Sequence, residues 1–374
     1  MPNVGKSTLL NALLKRRIAK VGKYPFTTVE KNTGVAVVPD EHLKALSQMV
    51  VDGKRIDEIK VVPAAIKFVD IAGLVRGAHK GEGLGNEFLG YIREVSAICH
   101  VVRVFEDPNV PHIIGSIDPK RDIEVVNTEL ILKDLETIEK IENKKQRTKN
   151  KKFGDVVEKV GAGLNQGRMV RDLGLSEREK DQIKDLCFLT AKPVVYVFNV
   201  SEAQISSLSG GQEIEVSEDQ SSQKAGAERR LVEKLINRLS HPSVTLSALL
   251  EEELFDLAPK EQKEYLGALG LKESGVERLI KICFDLLDLI VFYTIAKGRV
   301  VRAWPVKKGT TAFQGAGLIH SEIAHGFIKA EIIDCSLLQK IGSWEEAEKR
   351  GLVRLVGRDY VIKDREVVEF KFSV

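Results

Sequence analysis

The sequence predicts an α/β fold: a parallel sheet with crossover helices, an inserted antiparallel helical hairpin, and a small β-rich C-terminal domain. Three observations predict it. Short β-branched runs at Ala64–Ile71, Ala97–Phe105 and Pro193–Asn199 are separated by helix-length segments, as in buried parallel strands joined by helices. Residues from about Asp122 to Lys192 are charged and helical in period. From about Ile290 short alternating segments return, at Val300–Pro305, Glu331–Asp334, Tyr360–Ile362 and Val367–Phe372. The resulting division is 1–121 and 193–289 for the two parts of the sheet domain, 122–192 for the insert and 290–374 for the last domain.

The elements follow in order. Residues 1–8 read MPNVGKST, and Gly5-Lys6-Ser7-Thr8 is the second half of the phosphate-loop pattern G-x-x-x-x-G-K-[ST]. Backbone N–H groups of such a loop wrap a phosphate, the lysine reaches its outer oxygens, and the serine hydroxyl serves Mg²⁺ at a helix N-terminus. Leu9–Leu14 supplies that helix. Counting back from Gly5, the first glycine would precede Met1, so the sequence reads as beginning inside the loop, with its leading strand missing. A misassigned start codon is one explanation, and a central strand would then lack a neighbour. Before Glu30 there are six basic residues and no acid. That would also suit a mitochondrial presequence, but the motifs that follow account for Lys6 better.

Asp122–Glu142 repeats Ile, Leu and Val at three-and-four spacing, KKQRTKNKK follows at 144–152, and Glu177–Leu189 is a second helical stretch leading back to the sheet. Two arms meeting at a basic tip make the hairpin. The tip is either a solvated loop or a contact for RNA phosphates. Ser201–Gly226 is polar and reads as a loop, Glu228–Leu239 as a helix, Val244–Leu249 as a strand and Leu254–Leu289 as mostly helical. The apolar stretch Leu279–Ala296 carries Lys281, Asp285 and Asp288, so it reads as a packed helix rather than a membrane span.

Composition bounds the function classes. The chain has 374 residues, 43% hydrophobic and 30% charged, with a net charge of +3, values of a soluble protein with two or three domains. The charge is too small to imply nucleic-acid binding by itself. Four cysteines lie scattered without C-x-x-C spacing, which suggests free thiols in a reducing cytoplasm.

Further motifs assemble a nucleotide site. Asp70-Ile71-Ala72-Gly73 closes a predicted strand, where a carboxylate meets the Mg²⁺ shell and a glycine N–H senses the γ-phosphate. Gly77, Gly81, Gly83 and Gly85 follow and read as a switch segment. Leu74 stands where GTPases of the Ras type use a glutamine to orient water. His112 is one candidate to replace it, though an exposed loop histidine is an equal reading. In Tyr24-Pro25-Phe26-Thr27-Thr28 a hydroxyl should join the Mg²⁺ shell, Thr28 first and Thr27 second. A guanine reader carries N-K-x-D; here the strand ends Asn199-Val200-Ser201-Glu202. The lysine is lost and glutamate replaces aspartate, so guanine specificity should weaken, and adenine contacts would come from Glu202 or the Val200 backbone. Ser247-Ala248-Leu249 fits the last loop of the site.

Together, PNVGKST, YPFTT, DIAGLVRGAHKGEGLGNEFL, PHIIGSIDP, NVSE and the series RAW-x-x-x-x-G, AGLIHSE and GFIKAE resemble the Obg-like ATPases of the YchF subfamily, among the translation-factor-related P-loop GTPases. The resemblance covers essentially the whole chain. It implies a P-loop NTPase domain, the helical insert and a C-terminal TGS domain of β-grasp type. It implies preference for ATP over GTP, Mg²⁺ as cofactor, and ribosome association in the cytoplasm, with no membrane or DNA partner. The family's phosphate loop falls on Asn3, Val4, Gly5, Lys6, Ser7 and Thr8, its Mg²⁺ hydroxyls on Ser7 and Thr28, its base element on Asn199–Glu202 and its loop histidine on His112. Asn3 also occupies a position where related hydrolases can hold K⁺. Near the C-terminus Asp364-Arg365-Glu366 replaces an expected Asp-Gly-Asp turn, so that hairpin should differ.

The expectation is a Mg²⁺-dependent ATP hydrolase acting as a switch on the ribosome, through hairpin and TGS domain. The alternatives are a non-catalytic ribosome- or RNA-binding protein with a disabled site, and a GTP-specific hydrolase.

Overall fold

A computed structural model of the chain describes residues 1–18, 33–54, 59–71, 90–144, 151–209, 220–296 and 299–373. In chain order its strands are β1 (Thr33–Val37), β2 (Lys60–Val62), β3 (Ala65–Val69), β4 (Ile98–Arg103), β5 (Val194–Asn199) and β6 (Ser243–Leu246). They continue with β7 (Leu289–Ala296), β8 (Val300–Lys307), β9 (Phe327–Asp334), β10 (Arg354–Val356) and β11 (Glu366–Phe372). The residues fall into two compact units: Met1–Ala12 with Val69–Leu279, and Leu13–Phe68 with Ile280–Val374.

In the first unit β4, β5 and β6 form a parallel sheet, with Arg103 opposite Asn199 and Asn199 opposite Leu246. Every residue of β5 is buried, as its unbroken apolar run requires. Helices Gln220–Leu239 and Ala248–Leu254 bring Val232, Leu235 and Leu250 into the same core as Tyr196 and Phe198. Among the described residues β4 has β5 on one side and no strand on the other, while β1 and β3 make a separate two-stranded ladder. The expected strand Val244–Leu249 stops at Leu246, because the Ser247 side chain accepts from the Leu250 N–H and starts a helix. The expected loop after Ser201 begins instead as helix Glu202–Ser209. Gln204 explains this: its side-chain oxygen accepts from the Ser201 N–H at 2.6 Å while its own N–H reaches Ser201 Oγ, a capping pair.

The insert is a hairpin whose arms differ from the expected pair. The outgoing helix is Pro119–Lys144, and the return helix is Lys151–Asn165, with Glu177–Ile183 only a short helix behind it. The sequence reading missed the return arm because its lysines run on from the basic tip, yet Val156, Val157, Val160 and Leu164 form its buried stripe. They meet Ile131 and Ile138 of the outgoing helix. The tip, 145–150, lies outside the described residues. Asp134 fastens this hairpin to the chain leading into β5: its buried carboxylate accepts from the N–H groups of Leu189 and Thr190, 2.8 Å each, and from Thr190 Oγ at 2.7 Å.

In the second unit the order is β10-β9-β11-β7-β8-β2. β7 and β8 form an antiparallel hairpin, β11 runs parallel beside β7 and antiparallel to β9, and helix Ala312–Ile319 lies between β8 and β9 in the chain. This is the β-grasp topology that the family resemblance implies. Phe292, Phe327, Ile332 and Phe370 fill its core. The helix expected over Leu279–Ala296 ends at Leu286, and Leu289–Ala296 is β7. Asp288 at φ 50° breaks the helix ahead of a β-branched and aromatic run. Tyr360–Ile362 is not a strand but contributes a single bridge, Val361 to Thr311. Two features were not foreseen: β2 adds to the edge of β8, and the Tyr293 hydroxyl donates to Asp40 at 2.9 Å. Arg365 keeps the left-handed turn expected of glycine, at φ 63°, its N–H bonded to Val291 O and its carbonyl to Cys335 N–H. No helix among the described residues is long and apolar enough to cross a membrane.

Replacing Asp134 with asparagine puts an N–H₂ against buried N–H donors. Urea unfolding of Asp134→Asn is expected to show a loss of about 2–4 kcal/mol; an unchanged midpoint would show that the three bonds do not hold the insert.

Candidate nucleotide site

The phosphate loop is held by the carboxyl ends of the parallel strands, where ligands of such sheets bind. Helix Lys6–Ile18 starts at the expected lysine, and Leu9 N–H bonds to Gly5 O at 2.9 Å. Asn3 and Gly5 both have positive φ, 55° and 91°. The amide of Asn199, at the end of β5, bridges two loops. Its Nδ2 donates to Val4 O at 3.0 Å, and its Oδ1 accepts from Ala248 N–H at 2.9 Å. A Cβ on Gly5 would lie 2.2 Å from Asn199 Nδ2, so glycine is required there by both space and backbone.

Ser7 Oγ donates to Asp70 Oδ2 at 2.9 Å. The residue after β3 and the first turn of the loop helix thus come together. Lys6 folds over the loop, its Nζ donating to Met1 O at 3.0 Å. Burial lowers its pKa, and the charge of Asp70 acts in the opposite direction. The donor chemistry fits Mg²⁺: a hydroxyl and a carboxylate are hard oxygen ligands, and Mg²⁺ keeps several waters, so two protein ligands suffice. Among the described residues no cluster of three or more His, Cys, Asp or Glu could hold a metal. Thr8 is half-buried. Thr28 and Gly73, with Thr27, Leu74 and the glycines after it, lie outside the described residues.

The loop carrying His112 is tied to the phosphate loop through Asn3, whose Nδ2 donates to Pro111 O at 3.2 Å. His112 itself is committed at both nitrogens. Nε2 lies 2.8 Å from Asp122 Oδ2, and Nδ1 accepts from Ile114 N–H at 3.2 Å. This sets the tautomer, with the proton on Nε2. Both side chains of the pair are buried, 5% and 3% exposed. As placed, His112 fixes its loop and has no free lone pair for a water.

At the base-reading end the Val200 N–H is used by Leu246 O at 2.9 Å, which leaves its carbonyl as the backbone group for a base. Glu202 opens its helix and accepts a hydrogen bond from the Tyr265 hydroxyl. Ser247 caps the helix whose first residue, Ala248, meets Asn199.

Sequence reasoning missed Arg103. It is 1% exposed, stacks over Phe105, and donates from Nε to Phe105 O at 3.0 Å and from Nη1 to Asn3 O at 3.3 Å. The signal was available: a lone arginine within the apolar run 97–105 must find acceptors. Asp122, read only as a helix start, was missed as the partner of His112.

Comparison with known proteins finds relatives along the whole chain. Residues 1–157 match a family model described as a 50S ribosome-binding GTPase, and residues 289–373 match the model YchF-GTPase_C, described as a protein of unknown function. The chain is 39% identical over 380 residues to the "Ribosome-binding ATPase YchF" of Bacillus subtilis (strain 168), covering 100% of this chain and 98% of that one. It is 41% identical over 382 residues to the protein of the same name in Escherichia coli O157:H7, with the same coverage. Among solved structures, the YchF GTPase of Schizosaccharomyces pombe superposes with a TM-score of 0.83 at 30% identity, covering 99% of this chain and 96% of that one. A GTP-binding protein from Pyrococcus horikoshii OT3 shares the fold at a TM-score of 0.57 and 21% identity, covering 100% and 98%.

Gly5→Ala should weaken Mg·ATP binding by about a hundredfold or more, since both φ and the Asn199 contact oppose it. Isothermal calorimetry on the folded variant checks this; unaltered affinity would mean that the loop is not held as described. With the phosphate loop, its Asn199 anchor and relatives aligned from end to end, the chain belongs to the YchF family of P-loop NTPases.

Proposed function

We propose that this chain is a Mg²⁺-dependent nucleoside triphosphatase that prefers ATP to GTP and acts as a nucleotide-controlled switch on the ribosome. The observation that carries the reading is the contact of Ser7 with Asp70 beneath a loop anchored by Asn199. Ser7, Asp70 and Thr28 would hold the ion, which supplies charge neutralisation for the phosphates when bound. Lys6 would exchange its bond to the Met1 carbonyl for a phosphate oxygen, and the N–H groups of residues 3–8 would receive the rest of that charge. The Gly73 N–H would sense the γ-phosphate, so that closure and release of the segment after Asp70 follow the nucleotide state. K⁺ at Asn3 belongs to the same proposal.

ATP preference is supported by what replaces the guanine reader. Guanine needs a carboxylate at its N1 and N2 edge, and Glu202 already accepts from Tyr265. The Val200 carbonyl could take the 6-amino group of adenine. The names of relatives differ on this point: the bacterial proteins are called ATPases, and the fission-yeast structure a GTPase. The ribosome is suggested by the relatives' names and by the basic tip between the arms of the insert, with the β-grasp domain as second contact. The division into 1–121, 122–192, 193–289 and 290–374 is part of this reading.

His112 is the proposed water-positioning residue, and it would first have to give up Asp122. Asp122→Asn weakens that hold and should then change single-turnover hydrolysis without altering Mg·ATP affinity, whereas His112→Ala abolishes turnover. Calorimetric titration should give Mg·ATP at least about tenfold tighter than Mg·GTP; equal or tighter GTP binding would favour the GTP-specific reading.

A further inference from the structure

A cavity of about 430 Å³ lies in the first unit. Its walls are the first turns of helix Pro119–Lys144, the turn Gly167–Asp172 and the end of helix Gln220–Leu239. Its floor is Tyr196 of β5, with His241 just before β6. These positions are at the amino ends of β5 and β6, whereas the nucleotide site is built at their carboxyl ends, around Asn199 and Ala248.

Tyr196 is the informative residue. It is 1% exposed, its ring lies between those of His100 (5.3 Å) and His241 (6.2 Å), and its side chain lines the cavity. Its hydroxyl has no hydrogen-bond partner among the described residues and is not among the buried unpartnered atoms, so it is open to the cavity. The charges around it are unbalanced: Lys120, Arg168, Arg171 and Arg238 face Glu124 and Asp172. Asp172 is 3.4 Å from His241, and Arg171 is occupied by the carbonyls of Thr190 and Lys192. Arg238, Lys120 and the amide of Asn127 have no partner among the described residues. Helix Pro119–Lys144 adds the positive end of its dipole. The remaining wall is apolar, from Ile123, Ile131, Met169, Leu235 and Leu239.

A concave site of ligand size that pairs an apolar wall with convergent polar groups is a form that small-molecule sites take. We propose that this cavity binds a small organic anion: a flat or apolar body seated between Met169 and Leu235, with its charged head between Arg238 and Lys120 and a hydrogen bond from Tyr196. Tyr196 and His241 lie toward the amino ends of the strands, so the ligand is expected to bind while the nucleotide site is filled.

The test uses phenyl phosphate, titrated calorimetrically into the full chain saturated with Mg·ADP so that the phosphate loop is filled. Saturable 1:1 binding is expected, about tenfold weaker in Arg238→Glu and several-fold weaker in Tyr196→Phe, which keeps the ring and the core. Inorganic phosphate and phenol, head and body alone, should each bind more weakly than the intact molecule. Mg·ADP affinity, unchanged in both variants, serves as the control for folding. No binding in the presence of Mg·ADP, or binding that neither variant alters, would overturn the proposal.

Discussion

The amide of Asn199 is the constraint on which the nucleotide site depends. It sits where the fully buried β5 ends, and it needs both a donor and an acceptor: Nδ2 for the carbonyl of Val4, Oδ1 for the N–H of Ala248. An aspartate could satisfy only one of them. Neighbouring strands add the same kind of support, with Arg103 of β4 holding Asn3 O and Leu246 of β6 holding the Val200 N–H. Each such bond is worth only about 1 kcal/mol net. Their weight comes from burial, because an orphaned partner in this region costs more than the bond contributes. These bonds hold the loop with two of its residues, Asn3 and Gly5, at positive φ.

From that arrangement the chemistry follows with few groups. Ser7 and Asp70 meet as a pair of hard oxygen donors, and Lys6 rests on a loop carbonyl from which a phosphate could displace it. His112 is different. It is locked by Asp122 and Ile114, so its loop is built as a strut, joined to the phosphate loop through Asn3. A residue with both nitrogens engaged can change role only if the loop moves, which couples any catalytic use of it to a conformational step.

Much of this was legible in the sequence. The strands of the parallel sheet showed as apolar runs, and Lys6, Ser7, Asp70 and Asn199 fell within motifs whose spacing carries their chemistry. What could not be read was set either by single local caps and breaks or by partners far away in the chain. Gln204 turned an apparent loop into a helix by capping Ser201, and Ser247 ended a strand early by capping its own helix. Asp288 divided what looked like one long helix into helix and strand. Lys60–Val62 looked like nothing in particular, because a three-residue edge strand has no period to detect. Arg103 and Asp122 were missed for one reason: a buried charge reveals its role only through the partner it meets, and Asn3 and His112 approach them from separate segments.

The most direct measurement is the affinity of Asn199→Ala for Mg·ATP, taken beside its thermal unfolding curve. Loss of both bridges frees Val4 and Ala248, so the account predicts at least about tenfold weaker binding in a chain still folded at the assay temperature. Wild-type affinity in that variant would mean that the loop holds its own shape, and that the strand end is not what organises the site.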